Sequence, residues 1–263
     1  MSLYGKVVWI TGSSSGIGEA LAYAFAKEGA CLILSSRNAS KLNEIKDRCP
    51  NPDRHLVLPL DLEDSSTFSA DLRTALDKFG RIDILINNGG ISQRSLAALT
   101  GIETDRRIME TNFFGTVALT KAVLPSMIER GSGHIVVISS LMGKFGTPMR
   151  SAYAASKHAL HGFFDSLRAE VRSQGIKVTL VCPGFIRTNI SINALCADGS
   201  CQGTMDDAQA AGLQAGVCAA RILNAVVKGK EEVYIGGKEV MAVYLKRFFP
   251  GIFNRIIAKA KVT

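Results

Sequence analysis

No stretch of 18 apolar residues occurs in this 263-residue sequence, which therefore predicts no bilayer-spanning helix. The first predicted strand begins within a few residues of Met1 and leaves no room for a signal peptide. The four histidines, at positions 55, 134, 158 and 161, lack the spacing of a zinc site, so we expect surface or packing roles and no metal. Aromatic and basic residues do not alternate, so nucleic acid is not an expected partner.

Cysteines and acidic residues are also few, and this bounds the environment of the protein. The six cysteines are scattered, and only Cys196 and Cys201 lie close together, which favours reduced thiols in a cytosol-facing protein. The 31 Lys and Arg residues exceed the 23 Asp and Glu residues, giving a net charge of +8. A basic excess of this kind favours anionic ligands or a membrane surface.

Apolar segments alternate between strand and helix patterns along most of the chain. The predicted strands are Lys6–Thr11, Ala30–Ser35, His55–Leu60, Ile82–Asn87, His134–Ser140, Lys177–Cys182 and Val233–Gly236. The predicted helices are Ile17–Lys27, Lys41–Arg48, Ser66–Phe79, Thr104–Ile128 (with Pro125 expected to bend or end it), Ala152–Ser173 and Asp206–Lys228. We therefore predict one α/β, doubly wound, Rossmann-like domain over residues 1–239, with a mostly parallel seven-stranded sheet and helices on both faces.

The glycine-rich segment T-G-S-S-S-G-I-G follows the first strand and opens a helix. Gly12 permits a tight turn, Gly16 allows the backbone to approach a pyrophosphate, and Gly18 allows close helix packing. The helix N-terminus adds N–H donors and the positive end of a dipole. The alternative is a purely structural turn. We predict a phosphate site that also includes Ser14, Ser15 and Ile17.

The end of the second strand predicts the choice of nucleotide. An acidic residue there would accept hydrogen bonds from a ribose 2′-hydroxyl and select NAD, but the strand ends Ser35-Ser36-Arg37. The Arg37 guanidinium suits a 2′-phosphate, and Ser14 and Ser36 add hydroxyl donors. We therefore predict NADP(H) as the coenzyme. The alternatives are a solvated Arg37 and an enzyme that prefers NAD.

Two further strand ends are expected to complete the nucleotide site. Asp61 and Leu62 follow the third strand, where an adenine edge would lie. The N-N-G-G run at 87–90 follows the fourth, where glycine allows the backbone to approach a coenzyme. Asn87 is expected to join strands, and the coenzyme contacts are assigned to Asn88, Gly89 and Gly90.

Tyr153 and Lys157 lie four residues apart in Y-A-A-S-K and therefore share one face of a predicted helix. A free Tyr has a pKa near 10 and is a poor acid at neutral pH. A cation fixed beside it favours the phenolate and is expected to lower that pKa toward the physiological range. The alternative is an ordinary surface pair.

Several motifs occur in one order that resembles the short-chain dehydrogenase/reductase family. They are T-G-x-x-x-G-x-G at 11–18, N-N-G-G at 87–90, Asn112, Ser140, Y-x-x-x-K at 153–157 and P-G at 183–184. The resemblance spans residues 4 to about 236, and the one departure is Gly89, where the family commonly has Ala.

The resemblance implies a role for each catalytic residue. Tyr153 would exchange a proton with the carbonyl oxygen of the substrate, and Ser140, thirteen residues before it, would donate a hydrogen bond to the same oxygen. Lys157 would lower the pKa of Tyr153 and hold the nicotinamide ribose, so both residues would also contact the coenzyme. Asn112 would hold a water that links Lys157 to solvent.

The resemblance also implies coenzyme contacts after the sixth strand and a homo-oligomer. Pro183 and Gly184 lie at the carboxyl end of that strand, where such sheets bind ligands, although a simple turn is the alternative. Ile186 and Thr188 would contact the nicotinamide amide. A homodimer or homotetramer would form through the long helices that carry Asn112 and Tyr153.

The apolar residues near the predicted catalytic groups predict an apolar substrate, such as a lipid, steroid or retinoid carbonyl. The loop Asn189–Met205 would cover the substrate. Its apolar residues, together with those between Ser140 and Tyr153, form the predicted pocket: Leu141, Met142, Phe145, Met149, Ile190, Ile192, Ala194, Leu195 and Met205. The alternative is that these side chains only anchor the loop.

Residues 240–263 have five basic residues, no acidic ones and apolar residues at helix-like intervals. Pro250-Gly251 is expected to split the segment into two short helices. Such an amphipathic basic segment predicts that it lies on an anionic membrane surface or closes over the active site, with a dimer contact or packing on the body as alternatives. Three segments resemble one branch of the family in particular, at residues 109–128, at 150–159 and after Pro183-Gly184. That branch is similar to membrane-associated enzymes of lipid metabolism, which favours an endoplasmic reticulum or peroxisomal membrane.

These features together predict an NADP(H)-dependent oxidoreductase that interconverts a carbonyl and a secondary alcohol on an apolar substrate. Two alternatives from other classes stay open. One is a catalytically silent protein that senses nucleotide, and the other is a membrane-surface interaction protein that uses residues 240–263.

Overall fold

The computed structural model describes residues 2–260, which form an alternating series of strands and helices. The strands are β1 (Val7–Thr11), β2 (Cys31–Ser35), β3 (Leu56–Val57), β4 (Ile84–Asn87), β5 (Gly133–Ile138), β6 (Ile176–Pro183), β7 (Ile186–Arg187), β8 (Leu213–Gln214) and β9 (Glu232–Ile235). The helices are α1 (Gly16–Lys27), α2 (Ala39–Arg48), α3 (Phe68–Phe79), α4 (Ile102–Met109), α5 (Gly115–Glu129), α6 (Ser151–Val171), α7 (Asp207–Ala210), α8 (Ala215–Lys228), α9 (Met241–Phe248) and α10 (Pro250–Ile257).

One seven-stranded sheet carries the fold, with the strand order β3-β2-β1-β4-β5-β6-β9. Every neighbouring pair in it is parallel. From β1 the chain runs outward through β2 to β3 at one edge of the sheet. It then returns to β4, on the opposite side of β1, and runs outward in the other direction. The carboxyl ends of β1 and β4 therefore flank the crevice in which sheets of this type bind ligands. The predicted doubly wound fold is confirmed.

Side chains of the strands alternate between two cores because successive residues of a strand point to opposite faces. In β1, Val8 and Ile10 belong to the core that α1 and α8 cover, and Val7 and Trp9 belong to the core beneath α3, α5 and α6. All four side chains are almost fully buried. Burial on both faces explains why β1 reads as a continuous apolar run rather than an alternating one.

The prediction of one regular helix over 104–128 is wrong, because the segment is interrupted and its ends lie at other residues. The structure has α4, then a π-helical segment at Glu110–Phe114, then α5. A π-helical turn holds one extra residue, and such turns are frequent at functional sites. Pro125 does not end the helix, because α5 continues to Glu129.

The predicted helix over 206–228 is also wrong, because the chain there forms α7, β8 and α8. Leu213 and Gln214 pair with β7, which gives a two-stranded sheet that the sequence did not predict. Gly212 lets the backbone before β8 approach the backbone before β7, since an added Cβ atom would lie 2.6 Å from the Phe185 carbonyl carbon. The predicted third strand is shorter than expected, because only Leu56 and Val57 pair with β2.

The predicted division at Pro250-Gly251 is confirmed, since α9 ends at Phe248 and α10 begins at Pro250. The two helices pack on the body through Val243 and Phe253, and Phe253 makes an edge-to-face contact with Phe145 at 5.2 Å between ring centroids. No helix within residues 2–260 has both the length and the apolar character that spanning a membrane requires.

Candidate active site

The glycine-rich turn between β1 and α1 brings three backbone segments into close contact. Gly12 has φ +63°, and an added Cβ atom there would lie 2.7 Å from the Gly89 Cα atom. An added Cβ at Gly18 would overlap the Gly12 carbonyl oxygen. Gly18 therefore lies beneath the turn, where it fixes the position of α1 and does not face the cavity. These contacts leave a backbone-lined cradle that only glycine permits.

The N-terminus of α1 is open toward this cradle. Ser15 is the N-cap residue in extended conformation, and its side chain makes no capping hydrogen bond. The first N–H groups of a helix have no partner within the helix, so they are available to an anion. Ser14, Ser15, Gly16 and Ile17 all line the adjoining cavity. The turn thus fits the pyrophosphate of a dinucleotide.

The end of β2 presents a cation without an ion-pair partner among residues 2–260. Trp9 Nε1 donates a 2.8 Å hydrogen bond to Ser35 Oγ and anchors the strand end. Ser36 is half-buried and Arg37 is exposed, and both line the cavity. No carboxylate occupies positions 35–38, so nothing there repels a phosphate group.

The strand ends that follow β3 and β4 line the same cavity at Asp61, Leu62, Asn88, Gly89 and Gly90. The Asn88 amide already donates to the carbonyl oxygens of Thr11 and Gly12, at 3.0 and 3.2 Å. Thr11 Oγ1 accepts from the N–H groups of Asn88 and Gly89, both at 3.0 Å. Asn88 therefore ties β1 to β4, and Thr11 is a positioning residue that the sequence analysis did not assign.

Asn87 has a structural role, but its side chain joins a strand to a helix and not two strands as predicted. Its side chain is buried, and the amide donates a 2.9 Å hydrogen bond to Thr120 Oγ1 of α5. This bond joins the end of β4 to the helix that follows the π-helical segment.

Tyr153 and Ser140 converge at the inner end of the cavity. Tyr153 is 8% exposed and lies in the first turns of α6. Burial raises the pKa of Tyr153 above its ordinary value, while a hydrogen bond with Ser140 and the charges of Arg150 and Arg94 act in the opposite direction. Ser140 Oγ accepts from the Met142 N–H at 3.1 Å, so the hydroxyl is held beside the phenol.

The predicted effect of Lys157 on the pKa of Tyr153 stays a prediction, because Lys157 is not among the groups that act on that pKa in this structure. Lys157 Nζ lies 5.7 Å from the Tyr153 ring centroid and donates a 3.0 Å hydrogen bond to the Ile138 carbonyl oxygen. Burial lowers the pKa of Lys157 itself to about 8. The charges that favour the Tyr153 phenolate come instead from Arg150 and Arg94.

Asn112 lies in the π-helical segment and is fully buried behind Gly90. Its amide donates to the Ile91 carbonyl oxygen at 2.9 Å and to Ser156 Oγ at 3.0 Å, and its oxygen accepts from the Ile91 N–H at 2.8 Å. An added Cβ at Gly90 would lie 3.0 Å from this oxygen. The side chain therefore holds the backbone at Ile91, next to Gly90, and joins it to α6. Its predicted water-holding role stays a prediction.

The segment after β6 completes the wall of the cavity. Glu239 Oε1 accepts from the N–H groups of Phe185 and Gly237, at 3.1 and 3.0 Å, and an added Cβ at Gly184 would overlap this oxygen. Thr188 faces Gly16 across the cavity, at 3.0 Å from the position of an added Cβ. Four predicted coenzyme contacts line this wall: Pro183, Gly184, Ile186 and Thr188.

The predicted residues thus share one cavity of about 690 Å³, except Gly18 and Asn112, which support it from behind. Its substrate end is lined by Leu141, Met142, Phe145, Ile190, Leu195, Ile257 and Ala260. Four residues of the predicted apolar pocket do not line it: Met149, Ile192, Ala194 and Met205. Ala194 is fully buried among other residues and anchors the loop.

A second group of polar side chains lies behind Ser140. His161 Nε2 lies 3.1 Å from Ser139 Oγ and 3.6 Å from Cys182 Sγ, and Cys182 donates to Glu232 Oε1 at 3.6 Å. Lys144 Nζ, 2.7 Å from Glu232 Oε1, already neutralises that carboxylate. Burial raises the pKa of the Cys182 thiol and lowers that of His161 to about 4. This arrangement suits a neutral hydrogen-bonded network better than a cation site, and the absence of a metal stays a prediction.

Comparisons with known proteins agree with this fold and this site. The pattern of the short chain dehydrogenase family matches residues 6–196. The fold and the cavity define a nicotinamide-dinucleotide oxidoreductase, and the chain belongs to the short-chain dehydrogenase family.

Relatives from animals match nearly the whole chain. A Drosophila melanogaster protein named dehydrogenase/reductase SDR family protein 7-like is 44% identical over 99% of this chain and 82% of its own. Dehydrogenase/reductase SDR family member 7B from Bos taurus is 46% identical over 96% of this chain and 80% of its own. The segments around Asn112, Tyr153 and Pro183 had predicted this 7B branch, and the prediction is confirmed.

Solved structures agree with the fold. A short-chain dehydrogenase from Streptomyces avermitilis has a TM-score of 0.80 and 32% identity, over 97% of this chain and 94% of that one. A serine dehydrogenase complexed with NADP⁺ has a TM-score of 0.79 and 25% identity, over 88% and 94% of the two chains. A Burkholderia phymatum short-chain dehydrogenase/reductase in complex with NAD has a TM-score of 0.85 at 21% identity, which shows the fold alone.

Proposed function

We propose that the protein is an NADP(H)-dependent oxidoreductase that interconverts a carbonyl and a secondary alcohol on an apolar substrate. The observation that carries this proposal is one cavity in which a glycine-built phosphate cradle, the Tyr153 and Ser140 hydroxyls and an apolar end adjoin. The alternative function, a catalytically silent nucleotide sensor, has less support, because Ser140, Tyr153 and Lys157 are all present and all line this cavity.

A bound nicotinamide dinucleotide would supply the hydride chemistry, held by the turn at 12–18 and by the walls at 88–90 and 183–188. Tyr153 gives its hydroxyl proton to the carbonyl oxygen in the reducing direction and recovers it in the reverse direction. Ser140 donates a hydrogen bond to the same oxygen and stabilises the negative charge that develops there. Lys157, with a pKa near 8, exchanges its own proton in the physiological range and can resupply Tyr153.

Selection of NADP(H) is supported by Arg37, an exposed cation beside the half-buried Ser36 and free of any carboxylate neighbour at the strand end. The test measures KM for NADPH and NADH in the wild-type protein, in Arg37→Asp and in Arg73→Asp. Arg73 is an exposed residue of α3 that changes net charge equally without touching the cavity. We expect Arg37→Asp to raise the KM for NADPH about 100-fold, because one charge-assisted contact becomes a repulsion. Equal NADPH and NADH kinetics in the wild-type protein would contradict this part of the proposal.

The apolar substrate class is supported by the lining of the inner cavity. Aliphatic and aromatic side chains of Leu141, Met142, Phe145, Ile190, Leu195 and Ile257 line it, beside polar residues that include Ser140, Tyr153, Arg94, Arg150, Asn189 and Asn193. Incubating the protein with NADPH and a lipid extract, and identifying by mass spectrometry which carbonyls gain two hydrogens, tests this directly. Tyr153→Phe protein is the matched control. NADPH that binds but is consumed by no carbonyl would favour the nucleotide-sensing alternative.

We also propose that α9 and α10 contact an anionic membrane surface, on the cytosolic side of the endoplasmic reticulum or peroxisome. Their outer faces expose six apolar side chains: Met241, Tyr244, Phe248, Phe249, Ile252 and Ile256. Lys246, Arg247, Arg255 and Lys259 belong to the same segment, and the fifth predicted basic residue, Lys261, lies outside the described residues. Apolar residues flanked by cations bind anionic bilayers through both burial and charge.

Vesicle flotation tests this second proposal. Phosphatidylcholine vesicles with and without phosphatidylserine are compared for the wild-type protein and for Phe248→Ser/Phe249→Ser. We expect phosphatidylserine-dependent binding that the double variant loses, with coenzyme binding unchanged. Equal flotation of both proteins would remove the membrane role and leave a homodimer contact as the alternative, which size-exclusion chromatography with light scattering measures.

The homodimer or homotetramer predicted through α5 and α6 also stays a proposal. Phe114, next to these helices, is 51% exposed and packs against Phe113, which would supply an apolar contact for a second copy. Light scattering of Phe114→Asp compared with the wild-type protein tests it, and an unchanged mass would remove this helix face as the contact.

A further inference from the structure

A buried ion cluster joins three segments around the inner end of the cavity. Arg94 follows β4, Arg150 immediately precedes α6, and Asp206 ends the loop that precedes α7. Asp206 Oδ2 accepts from Arg94 Nε at 2.8 Å, from Arg94 Nη2, and from Arg150 Nη2 at 3.2 Å. The side chains of Arg94, Arg150 and Asp206 are 3%, 6% and 1% exposed.

The carboxylate also organises its own loop. Asp206 Oδ1 accepts from Gln202 Nε2 at 3.0 Å, and the Asp206 N–H donates to Ser191 Oγ at 3.3 Å. Ser191 is fully buried near the other end of the loop. The loop over residues 189–206, which carries Ile190 and Leu195 of the cavity wall, is therefore held from both ends by one acidic residue.

Neighbouring backbone contacts link this loop to the helix that carries Tyr153. Leu195 exchanges hydrogen bonds with the segment after β4, through the Arg94 N–H at 2.8 Å and the Ser92 carbonyl oxygen at 2.9 Å. Gln93 lies between these two residues and is fully buried. Its Oε1 atom accepts from the N–H groups of Ala152 and Tyr153, at 2.8 and 3.3 Å. These hydrogen bonds thus join the loop, the end of β4 and the start of α6.

A purely structural explanation of the cluster is weak. Burying a carboxylate and guanidinium groups costs several kcal/mol in desolvation, and apolar packing commonly stabilises a fold as well or better. Arg94 and Arg150 also line the cavity that contains Tyr153. Burial raises the pKa of Asp206, but hydrogen bonds from Arg94 and Gln202 and the two guanidinium charges outweigh it, so the carboxylate stays ionised.

We propose that Asp206 is a positioning residue for the reaction, which latches the substrate loop onto the helix of Tyr153 and balances the charges of Arg94 and Arg150 at the Tyr153 hydroxyl. This proposal rests on the proposed oxidoreductase function and deepens it. The loop shapes the substrate end, and the same ion cluster sets the electrostatic environment of the proton donor.

The charged and titratable groups around Tyr153 make the test specific. Lys157 and His161 lie on its own helix, Cys182 of β6 and Tyr234 of β9 belong to the same apolar cluster, and Glu239 lines the cavity. Arg94, Arg150 and Asp206 form the cluster. Arg94→Met removes a cation, so the pKa of Tyr153 should rise. Asp206→Asn removes the anion that offsets both guanidinium groups, so the same pKa should fall.

The titration is measured without turnover, by NMR of protein labelled with ¹³C at the tyrosine Cζ. The sequence has five tyrosines, and Tyr153→Phe identifies the resonance of interest. The ionised fraction of Tyr153 near pH 10, the ordinary tyrosine pKa, is compared among variants. The exposed pair Arg106 and Glu103 provides matched controls as Arg106→Met and Glu103→Gln. We expect a larger ionised fraction in Asp206→Asn, a smaller one in Arg94→Met, and no change in either control.

Loop latching is measured by hydrogen exchange over residues 189–206. Asp206→Asn should exchange faster there and raise the KM for an apolar carbonyl about tenfold, with the KM for NADPH unchanged, since about 1.4 kcal/mol of loop contacts is lost. Arg94→Lys keeps the charge but loses the two-point contact, so it should loosen the loop without moving the Tyr153 titration. It also provides a measurable variant if Asp206→Asn does not fold.

Shifts of equal sign in Arg94→Met and Asp206→Asn, or unchanged exchange of the loop in both Asp206→Asn and Arg94→Lys, would overturn the proposal. Because the titration and the exchange need no substrate, they can succeed while every carbonyl fails to react. The proposed oxidoreductase function would then be the part that fails.

Discussion

The two ends of the cavity are built by different means. The coenzyme end consists of backbone from β1, β4 and the start of α1, shaped by Gly12, Gly18 and Gly89. The substrate end consists of side chains from distant segments, held by the Asp206 ion cluster and by Phe253 against Phe145. A cradle tolerates almost no added atom where its neighbours are backbone, as at Gly12 and Gly18, whereas a side-chain wall can be altered without destroying the fold. The protein can therefore keep one coenzyme site while its substrate range changes.

The largest effect is expected at the junction of the two ends. Tyr153→Phe removes the proton donor and keeps the ring, so kcat for carbonyl reduction should fall about 10³-fold, the magnitude of general acid catalysis. The dissociation constant of NADPH, measured by fluorescence titration, should change little. Normal turnover in this variant would contradict the mechanism.

Gly18→Ala tests the rigidity of the coenzyme end. The added methyl group would overlap the Gly12 carbonyl oxygen, which is backbone and cannot turn aside. We expect NADPH affinity to fall about 100-fold or more, because a shift of about 1 Å in the cradle disrupts several hydrogen bonds together. Calorimetric titration measures it, and circular dichroism reports whether the variant is folded. Wild-type affinity in a folded variant would show that the coenzyme end also tolerates added atoms.

Phe253→Ala tests the tolerance of the substrate end. The substitution removes the ring that packs on Phe145 and loosens α10 over the cavity. The KM for an apolar carbonyl should rise about tenfold while the KM for NADPH stays constant, because a lost aromatic contact is worth about 0.5–1.5 kcal/mol beyond burial. Ile256→Ala, on the exposed face of the same helix, is the control and should behave as wild type.

Acidification tests the stability of the central sheet that supports both ends of the cavity. His134 of β5 bonds Thr179 of β6 at 2.8 Å, and burial lowers the pKa of His134 to about 4. Below the unfolded value of about 6.5 the unfolded chain binds a proton that the native chain excludes until about 4. Stability is therefore fully present above pH 6.5 and falls by about 3 kcal/mol across that window. Denaturant unfolding at pH 7 and pH 5 measures the first part of this loss, about 2 kcal/mol, which His134→Gln should reduce and the exposed His158→Gln should not.

Gly89→Ala is expected to have the smallest effect. Its added Cβ atom would lie 2.6 Å from the Leu62 Cδ1 atom, which is the mobile end of a side chain, and 3.4 Å from Thr11 Oγ1. A rotamer change of Leu62 relieves the contact for about 1 kcal/mol, so the KM for NADPH should change less than about fivefold. A loss as large as that in Gly18→Ala would mean that the whole coenzyme end is equally intolerant.

The sequence predicted the coenzyme end well and the substrate end incompletely. Spacing within 11–18 and 153–157 identifies residues that act through local backbone geometry or one helix face, and the structure brings them together. Arg94, Arg150 and Asp206 are far apart in the chain, and no local pattern relates them. The π-helical turn at 110–114 and strand β8 depend on tertiary contacts in the same way, so periodicity alone predicted regular helix in both places.

The π-helical turn also predicts how the chain tolerates changes in length. A regular α-helix advances about 100° per residue, so deleting one residue within 110–114 would rotate everything on one side of the deletion by that angle. Either Asn112 would leave the backbone at Ile91, or α5 would turn its buried face toward water. The extra residue thus lets Asn112 face Ile91 while α5 keeps its apolar face against the core. Insertions or deletions should be rarer within 110–114 than in the loops before α4 and after α5.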